Sequence, residues 1–331
     1  MSLPPSEIPQ GAIRFNTDSQ KLEFYAQGEW WNMVTEETHT GTPRGTFFGG
    51  EPGGSVIDYV EISTEGNAVD FGDLLDSADW CTADAASSTR GYRSGGGNPV
   101  TDRIDTWSFS TTGITLDFGN LIDSRLAHGG FSNSTRGIVG GGNPTNTATK
   151  NATTEYWTLQ TQGTVTSFGA TLNAATSGLV GTANKTRGIF AGGYNPTAVQ
   201  VMEYVTIAST GIIADFGSLT RPAQEPAGAC ANSVRGLVAG GTAPSSNAID
   251  FITMASLGDA QDFGDLGAAC NSCMGGTNSP VRAIFGGVGG PGSNNVIEYV
   301  TIMSKGNAIN FGDLTVARHI GSSCSNAHGG L

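Results

Sequence analysis

The aspartates of four Asp-Phe-Gly tripeptides are the clearest candidates for chemistry in this sequence. The tripeptides begin at Asp70, Asp117, Asp215 and Asp262. Asp-Phe-Gly holds magnesium when a glycine-rich phosphate loop and a catalytic loop accompany it, and this sequence has neither. Calcium stays open as an alternative, although no segment is dense in the oxygen ligands that calcium needs. Because the tripeptide recurs at one point of a repeat, we interpret it as structural and predict no metal, cofactor or catalytic residue.

Cysteine and histidine lack the spacing of a metal or catalytic site. The five cysteines are an odd number in a long chain, which argues against a disulfide framework. Cys81, Cys230 and Cys273 occupy repeat positions that other copies fill with small or apolar residues, so we expect small buried side chains. Cys270 and Cys273 lack the second pair of a zinc site. Surface or turn positions are expected for the four histidines, His39, His128, His319 and His328.

The sequence contains no motif of a familiar enzyme class. We find no Gly-x-Ser-x-Gly elbow, no metalloprotease helix and no dinucleotide fingerprint. Carboxylate pairs for glycoside hydrolysis stay open, because separations in space cannot be read from sequence. Aspartates that recur at one repeat position are better explained by a scaffold than by a single active site. We therefore predict that the protein is not an enzyme.

A repeated sequence defines the scaffold that must position any site. Six copies of an arginine, a small residue, apolar residues and glycines begin at Arg44, Arg90, Arg136, Arg187, Arg235 and Arg282. A Phe-Gly pair follows in each copy, at Phe71, Phe118, Phe168, Phe216, Phe263 and Phe311. Successive arginines are 46, 46, 51, 48 and 47 residues apart. A period in this range without a helical pattern is typical of propellers, solenoids and arrays of β units.

Each copy is predicted to contain four strands. In the fourth copy they cover residues 187–193, 202–207, 212–219 and 227–232, and the last of them is rich in small residues. Such strands suit the crowded centre of a propeller. We expect the Phe of each Phe-Gly to pack between blades and the Gly to allow a bulge or turn. Asp73, Asp265 and Asp313 are expected to pair with the repeat arginines.

The two ends of the repeat region are complementary. The first copy has no small-residue strand before Arg44, whereas the last copy is followed by an extra one at residues 317–326. Pairing of this extra strand, around Cys324, with the first copy would remove exposed sheet edges. We therefore predict an all-β chain with a six-bladed propeller at residues 44–331, closed by a C-terminal strand.

Residues 1–36 do not belong to the repeat, and residues 37–43 read as a polar linker. Three short strands are predicted around Ile13, Leu22 and Trp30, separated by turn residues. A β-meander of this size has too little core to be firmly stable alone. We expect it to pack on a partner or on other copies of itself, and thus to support a homo-oligomer.

Charge and hydropathy exclude some partners. The chain has 16 Lys and Arg against 29 Asp and Glu, a net charge of -13. An acidic surface of this kind repels nucleic-acid phosphates and anionic membranes. No segment approaches the roughly 20 apolar residues of a membrane span, and the first residues do not read as an export signal. We expect no nucleic acid, no membrane insertion and maturation in a reducing, cytoplasm-like compartment.

The repeat resembles the kelch propeller, in which a glycine pair closes one strand and an aromatic residue stands on the next. The residues assigned to this aromatic slot are Tyr59, Trp107, Tyr156, Tyr204, Phe251 and Tyr299. The Phe of Phe-Gly stands where kelch units carry a tryptophan. The resemblance implies a diverged, kelch-like set of blades.

The N-terminal segment resembles a module of tail fibres and other virion proteins of tailed bacteriophages. The resemblance rests on Gly-Ala-Ile-Arg-Phe-Asn-Thr-Asp at residues 11–18, continuing through Lys-Leu-Glu-Phe-Tyr at 21–25 to Glu29 and Trp30. The phrases Tyr-Val-Thr-Ile and Asn-Ala-x-Asp-Phe-Gly-Asp-Leu are similar to repeat proteins of marine phages. What this implies is a virion component, assembled in the host cytoplasm with other tail proteins.

From this resemblance we predict a phage structural protein whose propeller is a binding head for a host-surface glycan or protein. Binding residues usually lie in loops on a rigid scaffold, and the loop at residues 143–154 is longer than its counterparts. Candidate contacts are Asn143, Asn146, Tyr194 and Asn195, with Tyr194 suited to stacking on a sugar. The alternatives are a purely architectural tail or capsid decoration protein and a propeller-based glycan-active enzyme.

Overall fold

The computed structural model describes residues 8–16, 21–32, 42–52, 54–80, 85–97, 99–113, 115–144, 149–163, 165–270, 272–290 and 292–331. The chain divides into two compact units, Met1–Thr40 and Gly41–Leu331. The described residues form 27 strands in seven antiparallel sheets and no helix. The protein is therefore all-β, as its sequence predicts.

The N-terminal unit is a three-stranded meander. Its strands are β1 (Ile13–Asn16), β2 (Lys21–Ala26) and β3 (Glu29–Asn32). On one face, Arg14 bonds Glu23 at 2.7 Å and its guanidinium lies 4.1 Å from the centroid of the Trp30 ring. The opposite face, as the strand register defines it, exposes five apolar side chains: Ile13, Phe15, Leu22, Phe24 and Trp31.

The second unit contains six four-stranded antiparallel sheets, numbered I to VI along the chain. Sheet I contains β4 (Arg44–Phe48), β5 (Val56–Glu61) and β6 (Val69–Asp73), with β27 (Ser322–Ser325) at its edge. Sheet II contains β7 (Ala85–Ala86), β8 (Arg90–Ser94), β9 (Arg103–Ser108) and β10 (Leu116–Asn120). Sheet III contains β11 (Gly129–Ser132), β12 (Arg136–Gly140), β13 (Thr153–Thr158) and β14 (Thr166–Thr171).

The remaining three sheets repeat the same order. Sheet IV contains β15 (Val180–Ala183), β16 (Arg187–Ala191), β17 (Val201–Thr206) and β18 (Ala214–Ser218). Sheet V contains β19 (Gly228–Ala231), β20 (Arg235–Ala239), β21 (Ala248–Thr253) and β22 (Gln261–Asp265). Sheet VI contains β23 (Gly276–Asn278), β24 (Arg282–Gly286), β25 (Asn294–Thr301) and β26 (Ile309–Arg318).

The small-residue strand forms the first edge of each sheet and the Phe-Gly strand the other. The strand that begins at a repeat arginine is second in the order. The first strands contact one another in sequence, from β7 to β11, β15, β19, β23 and β27, and β27 also contacts β7. Small side chains are required there because the backbones of neighbouring sheets approach closely.

The C-terminal strand completes the first sheet. β27 pairs with β4 in antiparallel register, with Ser323 opposite Phe47 and Cys324 opposite Thr46. The sequence predicts this pairing from the strand that the first copy lacks. It supplies sheet I with the small-residue edge that the other five sheets obtain from the chain immediately before them.

The hydrophobic core lies between sheets. Six clusters of buried side chains each combine residues from two consecutive sheets, and one of them joins sheet VI to sheet I. Between sheets I and II, for example, the ring centroids of Phe48 and Trp107 are 5.0 Å apart. Burial of these faces is the main favourable contribution to holding the sheets together.

The repeat arginines cross from their own sheet to the next. The Arg187 guanidinium lies 4.7 Å from the centroid of the Tyr204 ring and donates to the Met254 carbonyl of sheet V at 2.7 Å. Four other repeat arginines also stack on the aromatic residue of their own sheet and donate to a carbonyl of the next: Arg44, Arg136, Arg235 and Arg282. These contacts fix the position of each sheet relative to its neighbour.

The predicted pairing of these arginines with Asp73, Asp265 and Asp313 is wrong. Each arginine lies opposite the last residue of the third strand, whereas each aspartate lies opposite or beside its first residues, so the two stand at opposite ends of the sheet. Asp73 instead accepts a hydrogen bond from Ser55 at 3.0 Å. The carboxylates that two of the arginines do meet are Glu61, beside Arg44, and Glu65, beside Arg282.

Arg90 departs from the pattern. Register places Thr106 of sheet II where Tyr204 stands in sheet IV, opposite the third residue of the arginine strand. The assignment of Trp107 to the aromatic slot is therefore wrong by one residue. Thr106 offers no ring for stacking, and the Arg90 side chain is exposed.

Each Phe-Gly pair forms a bulge that touches the next sheet. The pairing register shifts at the bulge, as between Asp117 and Gly119. The Phe216 carbonyl accepts a hydrogen bond from the Gly258 amide of the next sheet at 2.9 Å. A Cβ on Gly217 would lie 2.4 Å from the Gly258 carbonyl oxygen. The expectations of a Phe packed between sheets and a Gly at a bulge are confirmed here.

A buried carboxylate in the third strand of every sheet escaped the sequence analysis. All six are less than 9% exposed: Asp58, Asp105, Glu155, Glu203, Asp250 and Glu298. Five accept a backbone amide from the segment that follows the Phe-Gly pair of the preceding sheet, at residues 122, 173, 220, 267 and 315. Four are also paired with an arginine, namely Asp58, Asp105, Glu155 and Asp250. Five of the six carboxylates thus join their sheet to the segment before it, whereas Asp105 pairs with Arg93 of its own sheet.

Two expectations for cysteine and histidine are corrected. The sulfur atoms of Cys270 and Cys273 form a disulfide, where we expected reduced side chains. His128 is fully buried, and burial together with Arg125 and Arg93 holds its pKa well below the usual value. Cys230 is buried as expected, while Cys81 and His39 lie outside the described residues.

Candidate functional site

One residue in each link between sheets has a left-handed backbone. These residues, which we call the left-handed set, are Trp80 (φ 53°), Ala127 (52°), Gly178 (63°), Glu225 (48°), Ser272 (54°) and Ile320 (54°). Each stands six residues after the leucine that follows a Phe-Gly pair. Residues other than glycine are uncommon in this conformation and persist where the surrounding structure imposes it.

Backbone hydrogen bonds link the left-handed set from one member to the next. The amides of five of the six donate to the carbonyl of the member before them, as Ala127 does to Trp80 at 2.9 Å and Glu225 does to Gly178 at 2.8 Å, while the Ser272 hydroxyl bonds the Glu225 carboxylate. The amide of Trp80 likewise donates to the carbonyl of Ile320 at 2.8 Å, which connects the last link to the first. These bonds account for the recurrent strained conformation.

The side chains of the left-handed set do not repeat. Four members have side chains of different chemical types: Trp80, Glu225, Ser272 and Ile320. The two consecutive members Ala127 and Gly178 have only a methyl group and a hydrogen. A cleft of about 220 Å³ lies over these two small residues. The backbone conformation is the same at all six positions, whereas the side chains differ. A constant backbone with variable side chains is the arrangement expected of a binding site on a repeat.

Two aromatic residues and four polar residues with charged or amide groups surround this cleft. Its main lining side chains are Trp80, Asn143, Lys150, Tyr194, Gln224 and Glu225. The Trp80 backbone is held at both its amide and its carbonyl by the neighbouring members of the left-handed set. The indole is therefore presented from a rigid base.

The Glu225 carboxylate is oriented by its neighbours. One oxygen accepts a hydrogen bond from the Gln224 amide at 3.0 Å and the other from the Ser272 hydroxyl at 2.5 Å. On the outer side of the cleft, the Lys150 ammonium lies 4.5 Å from the centroid of the Tyr194 ring. The cleft thus combines one negative and one positive charge with two aromatic rings, which is chemistry for binding a ligand by stacking and hydrogen bonds.

A second, smaller cavity lies next to the cleft. It measures about 30 Å³ and shares Trp80, Gly178 and Glu225 with the cleft, adding Ser272 and Ile320. This volume is sufficient for a single water molecule. The left-handed set therefore borders both spaces.

The structure brings together two of the four predicted contact residues. Asn143 and Tyr194 both line the cleft, and each is half-buried. Asn195 lines a different cavity of about 130 Å³ beside Glu203, whose pKa is raised by burial. Asn146 lies outside the described residues. The predicted loops thus contribute part of the lining of the cleft.

Trp80 and Glu225 were missed by the sequence analysis because both lie in short links, not in the long variable loops. A signal for them does exist in the sequence. Counting six residues from each leucine that follows Phe-Gly gives Trp, Ala, Gly, Glu, Ser and Ile. A position so variable between constant neighbours is a candidate for ligand contact.

Comparison with protein-family models finds no match, and comparison with curated proteins finds none. The likeness to kelch repeats and to phage virion proteins therefore stays a resemblance of short motifs. The part of the chain that the structure describes holds no group of three or more His, Cys, Asp or Glu placed to bind a metal ion. Among the same residues, no helix is long and apolar enough to cross a membrane.

Proposed function

We propose that sheets I to VI are the blades of a closed six-bladed β-propeller. Four kinds of contact join consecutive sheets along the chain. All four also occur between the last sheet, VI, and the first, I, which supports closure. Arg282 donates to the Ile62 carbonyl, and Gly66 donates to the Phe311 carbonyl. A hydrophobic cluster joins the same two sheets, and the left-handed set is linked from Ile320 to Trp80. An open stack would have no contact between its first and last sheets.

We propose further that this propeller is the binding head of a phage virion structural protein, located in a tail or tail fibre. The motifs at the N-terminus and in the repeat support the virion, and the cleft supports binding. In this proposal the ligand is a glycan or protein of the host surface. The protein acts by attachment and not by catalysis.

The observation that carries the binding role is the cleft itself. A scaffold protein needs only the constant residues of the repeat at the ends of its sheets. Here the links carry Trp80 and Glu225 on two sides of a space that Ala127 and Gly178 leave open. Tyr194 and Asn143 extend that space outward. An irregular, aromatic-lined cleft on a regular scaffold has the features of a ligand site.

The N-terminal unit is the proposed attachment and self-association segment. Its sheet exposes Ile13 at 62%, Phe15 at 60% and Trp31 at 49% on a single face. A contiguous apolar face in a unit this small is a marker of a protein interface. In this proposal its partner is another copy of the chain, with other tail proteins attached through the same end.

The binding role is tested by pull-down of bacterial envelope fractions with the purified chain. We expect saturable binding that Tyr194→Ala weakens. Ile212→Ala is the control, because Ile212 is 72% exposed in a hairpin of sheet IV and does not line the cleft. An architectural spacer would show no saturable binding. Equal binding by both variants and the parent chain would place the site elsewhere.

A further inference from the structure

We infer that the cleft binds an uncharged saccharide, with the Trp80 indole as the stacking surface and the Glu225 carboxylate as the acceptor for sugar hydroxyls. This inference rests on the proposed binding function and names its ligand class. It follows from the chemistry of the cleft, from its size and from the charge of the protein.

The aromatic residues favour a ring with an apolar face and polar edges. The carbon-bound hydrogens of one face of a pyranose are apolar, whereas its hydroxyls lie around the edge. Such a ligand matches a tryptophan ring that is half-buried beside polar groups. The Trp80 amide donates to Ile320 and its carbonyl accepts from Ala127, so that little backbone freedom is lost when a ligand stacks on the side chain.

The polar groups of the cleft are suited to hydroxyl recognition. A carboxylate offers about four acceptor sites, and the bonds from Gln224 and Ser272 use two of those of Glu225. The same two bonds fix the direction of the sites that are left. A sugar hydroxyl can donate to them and accept from an amide or ammonium at the other side of the cleft, where Asn143 and Lys150 lie.

The charge of the protein and the size of the cleft restrict which ligands the cleft can bind. The chain has a net charge of -13, which repels an anionic polymer at long range. Within the cleft Lys150 and Glu225 balance each other, so the site itself has no excess charge to hold an ionic ligand. A volume of about 220 Å³ lies below the roughly 300–1,000 Å³ of pockets for drug-sized ligands. The site therefore fits about one sugar ring of a longer chain.

Trp80→Ala is the variant that tests the stacking surface. Ala127 already occupies the equivalent left-handed position, so an alanine is compatible with that backbone and the variant is expected to fold. We expect it to weaken binding about tenfold or more, the loss typical of a central aromatic contact. Trp80→Phe keeps a ring and should recover part of that loss. Glu225→Gln should weaken binding about fivefold, the equivalent of one hydrogen bond.

The probes are an array of uncharged and anionic oligosaccharides and a bacterial envelope fraction treated with either periodate or protease. We expect uncharged members of the array to bind, and periodate but not protease to abolish envelope binding. Leu257→Ala is the control, since Leu257 is 55% exposed in a hairpin away from the cleft. Binding only to anionic sugars, or to no sugar of the array, would overturn the inference.

The same experiment separates the two proposals. If protease abolishes envelope binding and Trp80→Ala weakens it, the cleft binds a protein: the binding role stands and the saccharide inference fails. If Trp80→Ala, Tyr194→Ala and the parent chain bind the envelope alike, the cleft is not the site and the saccharide inference fails; if the parent chain shows no saturable binding, both proposals fail. Loss of binding to periodate-treated envelope, together with the loss in Trp80→Ala, supports both.

Discussion

Glu155 and Glu203 are equivalent residues of sheets III and IV that differ in their partners. Both are buried and both accept a backbone amide from the preceding link. Glu155 also bonds the buried guanidinium of Arg125, whereas Thr176 occupies the corresponding position before Glu203. Burial raises the pKa of both carboxyls. The missing arginine leaves the charged form of Glu203 with less compensation for desolvation.

Glu203→Gln is therefore expected to stabilise the protein at neutral pH. A carboxyl whose pKa is raised by folding contributes most below its unfolded pKa of roughly 4.3, and this contribution is lost as pH rises through the folded value. At pH 7 the wild type retains a poorly compensated charge that Gln removes, so the free energy of unfolding should rise by about 1 kcal/mol. Denaturant unfolding at pH 7 and pH 4 measures the effect, which should shrink at pH 4.

Glu155→Gln is the matched control for this change. It removes the charge that faces Arg125 and leaves a buried guanidinium without its partner, so it should destabilise the protein by about 3 kcal/mol. Equal effects of the two substitutions would show that the arginine is not what distinguishes the two sites.

Gly217 of sheet IV and Gly258 of sheet V face each other. Comparing alanine substitutions at the two positions separates the cost of a steric clash between the sheets from the cost of backbone strain. Their φ values are 139° and 147°, so alanine is strained at both. A Cβ on Gly217 would lie 2.4 Å from the carbonyl oxygen of Gly258, whereas a Cβ on Gly258 would meet nothing within 4 Å. Gly217→Ala should thus cost about 2 kcal/mol more than Gly258→Ala in thermal unfolding. Similar losses of stability in the two variants would mean that backbone strain, and not the clash with the Gly258 carbonyl, determines the effect.

Gly217 and Gly258 also show how much of a single residue's role can be predicted from the sequence. Six Phe-Gly pairs at one repeat position indicated a glycine with a backbone role, and the bulge is present. The contact partner was not readable, because the carbonyl of Gly258 belongs to the next sheet. The buried carboxylates were missed for a related reason: Glu203 lies among alternating strand residues, where exposure is the ordinary expectation for an acid.

At the scale of elements, the strand limits were largely predictable. In sheet IV the arginine, the glycine pair and Phe-Gly mark where strands begin and end, and the observed limits lie close to the predicted ones. The order of strands within a sheet was less accessible. The order of strands depends on which edge of the sheet meets the neighbouring sheet. Small residues such as Ala229 indicate a crowded position, but they do not indicate which element lies next to it.

The N-terminal sheet provides a prediction about self-association. Phe15→Ser removes one of the most exposed apolar side chains from the face that also carries Ile13 and Trp31. If this face joins copies of the chain, the variant should shift toward monomer in size-exclusion chromatography with light scattering, because the interface loses apolar burial. Ile212→Ser is the control, since it removes an equally exposed apolar residue from the larger unit. A parent chain that is monomeric at all concentrations would contradict the proposal.

At the scale of the whole molecule, the proposed closure would give every sheet a neighbour on both of its faces. In the proposed ring, no sheet has an unpaired face. The sequence predicted closure from the surplus strand at residues 317–326. It did not predict that four further contact types, from the buried core to the left-handed set, also recur between sheets VI and I. Those contacts involve residues more than 200 positions apart, such as Arg282 and Ile62, and such separation leaves no local signal in the sequence.

Deletion of residues 322–331 tests closure directly. It removes β27, which pairs with β4, but retains Arg318 and its ion pair with the buried Asp58. Without β27 the first edge of sheet I is unpaired and Phe47 and Phe48 lose a neighbouring strand, so we expect the melting temperature to fall by about 10 °C or more.

Two controls define the outcome of that deletion. Removal of residues 1–36 should leave the melting temperature of the larger unit nearly unchanged, because that segment forms a separate compact unit. A synthetic peptide of residues 322–331, added to the truncated chain, should restore part of the lost stability by pairing with β4. An unchanged melting temperature after the deletion would contradict closure, since the deletion removes the strand that joins the end of the chain to sheet I and leaves β4 unpaired.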